Sequence, residues 1–453
     1  MIKKLFKIEN IFLITALVWG VLFLLVNPPF QAPDEPEHMF KMWGYTENSY
    51  RFKIKDGWAG QILPANFDVL YQVYDNYRMS IDPVPFKNTI TAAALPLDKY
   101  NTTFVRFTPS SYTPVSYFPS FIVLWVLKIF NASPIFMMYI LRFCSLLVYL
   151  ALIYCAIKIT PVKKYLFLIF SIMPLCVYQA ASISTDGITF GVLMILLAYT
   201  LKLAYDDGIE KISLKQKIIW SVLCVVTGIL KFAYLPLILI YFLIPQEKFN
   251  CKKDYIKTFL TAFLISITVV CAFLAFTMST SAITKYAYDN HLLSHSQVLK
   301  NTLSHPVDYI FAILKTVKHL FWFMSKNMIS SIGITLAMIP PQTAYLYWVL
   351  LFAATFYKTD NEKNITFSIK QILLVLTGVL ISFFIMITAV HLIYQTKDYI
   401  FGIQGRYLTP FIPFVLILLS GLCLKGKTTG ALIFLGSQYV LFVTLITIIN
   451  RYY

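Results

Sequence analysis

Three carboxylates and a histidine lie within five consecutive positions of this 453-residue sequence, at Asp34, Glu35, Glu37 and His38. Pro33 and Pro36 stiffen the backbone on either side of the first two acids. A carboxylate held near a region of low dielectric can act as a general base. The same pattern also suits a plain helix start, in which Asp34 caps a helix that begins at Pro36. The sequence leaves both interpretations open.

A second acidic position lies in a short polar turn between two apolar segments, in the run Ser182-Ile-Ser-Thr-Asp186-Gly187. Asp186 is either the cap of the helix that follows or a second carboxylate of the same site. Two carboxylates near one face of a membrane are suited to a transfer reaction that a base or a cation assists.

Three cations are candidates for binding an anion. Only six of the 38 basic residues are arginines, and none of the six lies in a loop predicted to be cytoplasmic. Arg406 begins an apolar segment after Gly405, which would let the backbone approach a ligand, and its planar fork suits a phosphate. Lys231 and Arg142 lie within apolar sequence, where a charge is costly and therefore often functional. The alternatives are a structural ion pair for Arg406, and extension to the membrane surface for Lys231 and Arg142.

The elements that carry these residues are membrane helices. Hydrophobic residues make up 58% of the chain, charged residues only 13%, and the mean hydropathy is +0.70, which excludes a soluble domain. The net charge of +17 arises at the ends of apolar segments, as the positive-inside rule predicts, and forms no nucleic-acid-binding stripe. The seven cysteines show no disulfide framework.

Hydropathy and charge predict an all-α polytopic membrane protein with a single domain over residues 1–453 and about 10–12 transmembrane helices. The apolar segments are 11–26, 113–130, 135–157, 165–181, 187–204, 218–244, 258–278, 343–357, 371–392, 408–424 and 430–449. With Lys3 and Lys4 inside, the large polar loop 28–112 and the region 279–342 lie outside the cytoplasm.

Three of these regions have special predictions. The charge pattern predicts that 113–130 inserts only partly and that 218–244 is a hairpin of two short helices with Lys231 at its outer tip. The stretch Pro306–Lys326 predicts an amphipathic helix in the outer membrane interface.

The motifs Asp34-Glu35-x-x-His38 and Gln404-Gly405-Arg406-Tyr407, with Arg142, Asp186 and Lys231, resemble a bacterial membrane protein family of unknown function. That family is similar to the GT-C superfamily of polyprenyl-phosphate-dependent glycosyltransferases. The resemblance covers nearly the whole chain.

The resemblance implies an extracytoplasmic active site in a multi-pass protein of the bacterial plasma (inner) membrane. Asp34 would be the catalytic base, while Glu35 and His38 would position the acceptor or a divalent cation such as Mg²⁺ or Mn²⁺. Arg406, Lys231 and Arg142 are the candidate ligands of the donor phosphate. The substrates would be a polyprenyl-phosphate-linked sugar and an envelope glycan or glycolipid acceptor.

Two other functions remain open at this point. A flippase or transporter of lipid-linked glycan would need charged residues through the membrane midplane and on both faces, whereas the polar clusters here gather on one side. A polymerase or ligase of envelope polysaccharide would also transfer from a lipid, but from a diphosphate-linked chain.

Overall fold

The computed structural model describes residues 7–78, 80, 82–107, 112–278, 295–333, 337–359, 362–394, 399–421 and 424–453. Lys3 and Lys4, and residues 279–294 of the second outer region, lie outside the described part of the chain.

The elements are given in chain order. The amino-terminal part contains α1 Ile8–Val26, α2 Glu35–Thr46, β1 Lys53–Lys55, β2 Trp58–Pro64, α3 Ala65–Arg78, α4 Phe86–Ala93, β3 Thr102–Arg106, α5 Ser120–Ile129, α6 Pro134–Ile159, α7 Lys164–Ser171, α8 Pro174–Ala180 and α9 Asp186–Tyr205. The remainder contains α10 Leu214–Leu230, α11 Lys252–Met278, α12 His295–Ser304, α13 Pro306–Ser330, β4 Ser331–Ile332, β5 Ala337–Met338, α14 Pro341–Phe356, α15 Ile369–Tyr394, α16 Gly405–Leu408, α17 Phe411–Leu416 and α18 Lys427–Tyr452. Short 3₁₀ helices occupy Pro114–Tyr117, Phe232–Leu243, Gln246–Lys248 and Ile417–Leu419.

Six helices of the described chain, namely α1, α6, α9, α11, α15 and α18, are long and apolar enough to cross a membrane. A helix rises ~1.5 Å per residue, so about 20 residues cover a hydrocarbon layer of ~30 Å. The prediction of an all-α polytopic membrane protein is therefore confirmed.

The other apolar segments are short or broken. Segment 165–181 divides into α7 and α8. The run 218–244 ends its α-helix at Leu230 and resumes after Lys231 as a 3₁₀ helix that contains Pro236. The predicted break at Lys231 is confirmed, and Pro236, which lacks an N–H donor, accounts for the second half not being an α-helix.

Helix α5 covers 10 residues, which is ~15 Å of helix or about half the depth of the hydrocarbon layer. Its length agrees with the prediction that segment 113–130 inserts only partly.

The loop at 28–112, which the sequence predicts to be extracytoplasmic, contains folded elements that the sequence did not predict. Strands β1, β2 and β3 form an antiparallel sheet in that order. Buried aromatic side chains from α2 and α3 pack together, including an edge-to-face contact between Phe40 and Phe67. The side chain of Arg451 in α18 donates to the carbonyl oxygens of Tyr77 and Ser80, which attaches this outer subdomain to the last helix.

The predicted amphipathic helix is α13. Tyr309 and Thr316 on its buried side bond to Thr388 of α15 and to the backbone N–H of Ile400, at 2.7 Å each. Phe311 and Leu314 are each 57% exposed. The apolar face is thus turned away from the protein, as contact with lipid requires.

Candidate active site

Asp34 lies at the cap position of α2 but does not cap it. Its backbone is left-handed, with φ of 57°, and its side chain makes no hydrogen bond to the first turn. Aspartate tolerates this conformation better than most residues. The carboxylate instead accepts a hydrogen bond from Nη2 of Arg406. The helix-cap interpretation of Asp34 is therefore wrong.

Asp186 also binds cations and does not cap a helix. Its Oδ1 lies 3.2 Å from Nζ of Lys231 and its Oδ2 lies 3.5 Å from Nη1 of Arg406. Asp34 and Asp186 both lie at the starts of helices, α2 and α9, where the helix dipole favours a negative charge. The structure thus joins Asp34, Arg406, Asp186 and Lys231 into one chain of alternating charges, called here the charge chain.

The Gln404-Gly405-Arg406 sequence aims the guanidinium into the charge chain. Gln404 accepts a hydrogen bond of 2.7 Å from Nε of Arg406. A side chain at Gly405 would meet the backbone of Asn327 in α13 at 2.1 Å. The glycine is therefore required by the close approach of two protein segments, and the expectation that it approaches a ligand is corrected.

Exposure within the charge chain is uneven. The side chain of Asp34 is 48% exposed, whereas those of Arg406 and Asp186 are 4% and 3% exposed. Lys231, with 16% of its side chain exposed, lies 4.9 Å above the ring of the half-buried Tyr407. The cations are thus reached from one side, and Asp34 covers Arg406 on that side.

Glu35 and Arg142 form a separate pair that is fully buried. Nε and Nη2 of Arg142 donate to the two oxygens of Glu35 at 2.7 and 2.6 Å. Nη1 and Nη2 of Arg142 also donate to the backbone carbonyls of Leu24, Asn27 and Pro28 at the end of α1. These contacts use all five N–H donors of the guanidinium.

Two sequence-based assignments are corrected by this pair. Both side chains are 0% exposed, so Arg142 has no donor left for a lipid phosphate and Glu35 has no open side for an acceptor or a cation. Oε1 of Glu35 additionally accepts from the N–H of Ile183 at 3.1 Å. The pair ties the segment before α9 to α1, α2 and α6, and so holds the backbone next to Asp34 and Asp186.

His38 is the third member of the motif and lies beside the charge chain. Its Nδ1 shares a hydrogen bond of 2.8 Å with the hydroxyl of Tyr117, and its ring lies 5.2 Å from that of Tyr112. Burial lowers the pKa of His38 to about 4, although the negative charge of Asp34 opposes the shift. The imidazole is therefore neutral at neutral pH.

Sequence reasoning had not assigned Tyr112, Tyr117 or Gln404 to the site. Signals were available in the sequence: Gln404 belongs to the Gln404-Gly405-Arg406-Tyr407 motif, and Tyr112 and Tyr117 lie at the start of the apolar segment 113–130.

The electrostatics of Asp34 follow from its neighbours. Burial alone would raise the pKa of Asp34. The positive charge of Arg406 opposes this effect, as do the electrostatic interaction with His38 and the hydrogen bond from Arg406. Together they lower the pKa of Asp34 to about 2. Asp34 is therefore ionised at neutral pH, and it is a weak base while Arg406 is bound to it.

Glu37 belongs to neither arrangement. Its Oε1 lies 3.7 Å from Nη1 of Arg78, which also bonds to Asp75 at 3.1 Å. Burial raises the pKa of Glu37 despite the charge of Arg78.

The site does not fit a divalent cation. Within the described residues, no group of three or more His, Cys, Asp or Glu side chains is arranged to hold a metal ion. Asp34 and Asp186 are each already paired with Arg406 or Lys231. Two cations behind one exposed carboxylate suit an anionic ligand better than Mg²⁺ or Mn²⁺.

A small, partly open groove lies near the site. It lies between α5, α6 and the start of α9, and its lining includes Ser116, Ser120, Ser145, Ser184, Ile183 and Gly187. Gly187 follows Asp186 directly in the sequence, so the groove lies near the charge chain, although none of the four residues of the charge chain is part of its lining.

A family model described as "Predicted membrane protein (DUF2142)" matches residues 17–415 of the chain. The matched range includes every residue of the charge chain, His38 and the Glu35–Arg142 pair. No curated protein and no solved structure matches the chain. The chain belongs to the DUF2142 family of predicted membrane proteins.

Proposed function

We propose that this protein is an extracytoplasmic glycosyltransferase of the bacterial plasma (inner) membrane, which moves a sugar from a polyprenyl-phosphate carrier to an envelope glycan or glycolipid. One observation carries the proposal: Arg406 and Lys231 lie together behind a single exposed carboxylate, Asp34. The likeness to GT-C glycosyltransferases stays a prediction from the sequence motifs.

The chemistry needs a base and a cationic site side by side. The acceptor hydroxyl gives its proton to Asp34, and its oxygen forms a bond with the anomeric carbon of the sugar. The bond between that carbon and the phosphate oxygen breaks, and its electron pair stays with the polyprenyl phosphate. Arg406 and Lys231 stabilise the negative charge that the departing phosphate gains.

The surroundings of the charge chain support a lipid donor. The groove beside Asp186 is bounded by α5 and α6, and α6 is long and apolar enough to span the membrane. On this proposal, the hydrocarbon chain of the donor stays in the bilayer while its phosphate binds Arg406 and Lys231. The tyrosine rings of Tyr112 and Tyr407, both half-buried near Lys231, offer surfaces for a sugar ring.

Asp34→Asn tests the catalytic role. The substitution keeps the shape of the side chain and removes the base, so transfer from a labelled polyprenyl-phosphate sugar in proteoliposomes should fall ~100- to 10,000-fold. Glu37→Gln is the matched control, because Glu37 lies in the same helix but pairs with Arg78. Its transfer rate should stay close to that of the unaltered protein.

Two outcomes would contradict the proposal. Near-normal transfer by the Asp34→Asn variant would mean that the base lies elsewhere. Movement of the labelled lipid across the bilayer, with no transfer to any acceptor, would favour the flippase alternative.

The face of the membrane has its own test. A reporter fused after Lys231 should be found outside the cytoplasm and one fused after Lys253 inside, because the basic loop at 248–257 is predicted to be cytoplasmic. A cytoplasmic signal after Lys231 would place the charge chain on the wrong face for envelope synthesis.

A further inference from the structure

The guanidinium of Arg406 is buried and already has several partners. Its Nε donates to Gln404, its Nη1 faces Asp186, and its Nη2 donates to Asp34 and to the hydroxyl of Tyr407 at 3.4 Å. Because only 4% of the Arg406 side chain is exposed, a phosphate that approaches from solvent reaches the guanidinium by replacing one of these partners.

Asp34 is the partner that can leave. Its side chain is 48% exposed, so the carboxylate can be hydrated after it separates from Arg406. Asp186 has 3% of its side chain exposed and also bonds to Lys231, and releasing it would leave a buried charge without one of its partners. Exchange at Asp34 therefore costs less than exchange at Asp186.

We infer that Asp34 is an internal occupant of the anion site formed by Arg406 and Lys231, and that the phosphate of the lipid donor takes its place. The inference rests on the proposed function, which supplies the lipid phosphate. It adds an order of events, because Asp34 is released only when the donor binds.

The release would also change the chemistry of Asp34. In the unliganded site, Arg406 keeps the pKa of Asp34 low. A bound phosphate shares the positive charge of Arg406 and adds a negative charge nearby, and both effects raise the pKa of the carboxylate. Donor binding thus converts a weak base into a stronger one at the moment when the acceptor needs it.

Binding of farnesyl phosphate, a short polyprenyl phosphate, tests the exchange without any transfer reaction. The full-length protein is placed in nanodiscs of phosphatidylcholine, and the dissociation constant is measured against that of farnesol, which has no phosphate. Asp34→Asn and Asp34→Ala should bind farnesyl phosphate ~10- to 100-fold more tightly than the unaltered protein, as expected for the loss of a competing charged hydrogen bond. Affinity for farnesol should not change.

Glu37→Gln controls for the loss of one negative charge near the site. It should leave the affinity for farnesyl phosphate within about twofold, because Glu37 bonds to neither Arg406 nor Lys231 and its charge is paired with that of Arg78. If Glu37→Gln and Asp34→Asn raise the affinity for farnesyl phosphate equally, the inference is overturned, because the loss of any nearby negative charge would then explain the gain.

Failure of the inference and failure of the proposed function give different results. If Arg406→Gln weakens farnesyl phosphate binding but neither Asp34 variant tightens it, the phosphate site stands and the exchange is overturned. If no variant binds farnesyl phosphate better than farnesol, both the phosphate site and the exchange are overturned.

Discussion

Two neighbouring acids, Asp34 and Glu35, each bind an arginine, and the two pairs have opposite properties. Glu35 and Arg142 are 0% exposed, and every donor of Arg142 is used. Asp34 is 48% exposed, and it covers an arginine that lies next to a second cation, Lys231.

The difference separates a closed, saturated pair from a pair that is open on one side. A saturated pair without solvent contact cannot exchange a partner for a ligand, because any separation leaves a buried charge. A pair open on one side can exchange, because water or a ligand replaces the lost contact. From residue type and position in apolar sequence alone, Arg142 and Arg406 were both candidate ligands of the donor phosphate.

The largest expected effect breaks the closed pair. Glu35→Gln leaves Arg142 buried without its counter-charge and should lower the free energy of unfolding by ~3–5 kcal/mol. Asp34→Asn, the same change one residue earlier, should lower it by less, because Arg406 keeps its pairing with Asp186 and water can replace the exposed carboxylate. Thermal unfolding in detergent measures both, and equal losses would remove the distinction between the pairs.

A smaller effect is expected from the shape of the cation in the open pair. Arg406→Lys keeps the charge but loses the planar fork, so donor binding should weaken by ~1–3 kcal/mol. The readout is the dissociation constant of the lipid phosphate in nanodiscs. Unchanged affinity would reduce Arg406 to a structural partner of Asp34 and Asp186.

The last effect is spread over a range of pH and concerns His38, three residues after Glu35. Its pKa is about 4 in the folded protein against an ordinary value of 6.5. Between these values the unfolded chain binds a proton that the folded protein does not, so stability falls as the pH is lowered from 6.5 to 4. The loss from this group is at most ~1.4 kcal/mol for each pH unit.

His38→Asn cannot titrate, and its stability should depend less on pH over that range than the stability of the unaltered protein. Urea unfolding at a series of pH values compares the two slopes. Identical slopes would mean that His38 is protonated in the folded protein as readily as in the unfolded chain.

Several parts of the fold follow from the sequence alone. Apolar runs long enough for a bilayer predict the membrane class, because each must avoid water along its whole length. The break at Lys231 follows from a charge and a nearby proline inside one long apolar run. Charge placement also puts Asp34, Asp186, Lys231 and Arg406 on one face, and the structure brings these four together.

The fold of the outer loop did not follow from the sequence. Its sheet pairs residues far apart in the chain, such as Gly60 and Arg106, and its polar composition gave no periodic pattern. The sequence correctly predicts that another group lies close to the backbone of Gly405. Only the structure shows that this group is the backbone of α13.

The sequence by itself determined the membrane class and predicted that Asp34, Asp186, Lys231 and Arg406 lie on the same side of the membrane, because hydropathy and charge distribution indicate where each apolar segment begins and ends. Only the tertiary structure decided which acid binds which cation. Arg142 lies 107 residues from Glu35, and Arg406 lies 372 residues from Asp34, so no local pattern connects them. The left-handed backbone at Asp34 and the start of α2 at Glu35 send two adjacent carboxylates to different partners, one buried and one open to a ligand.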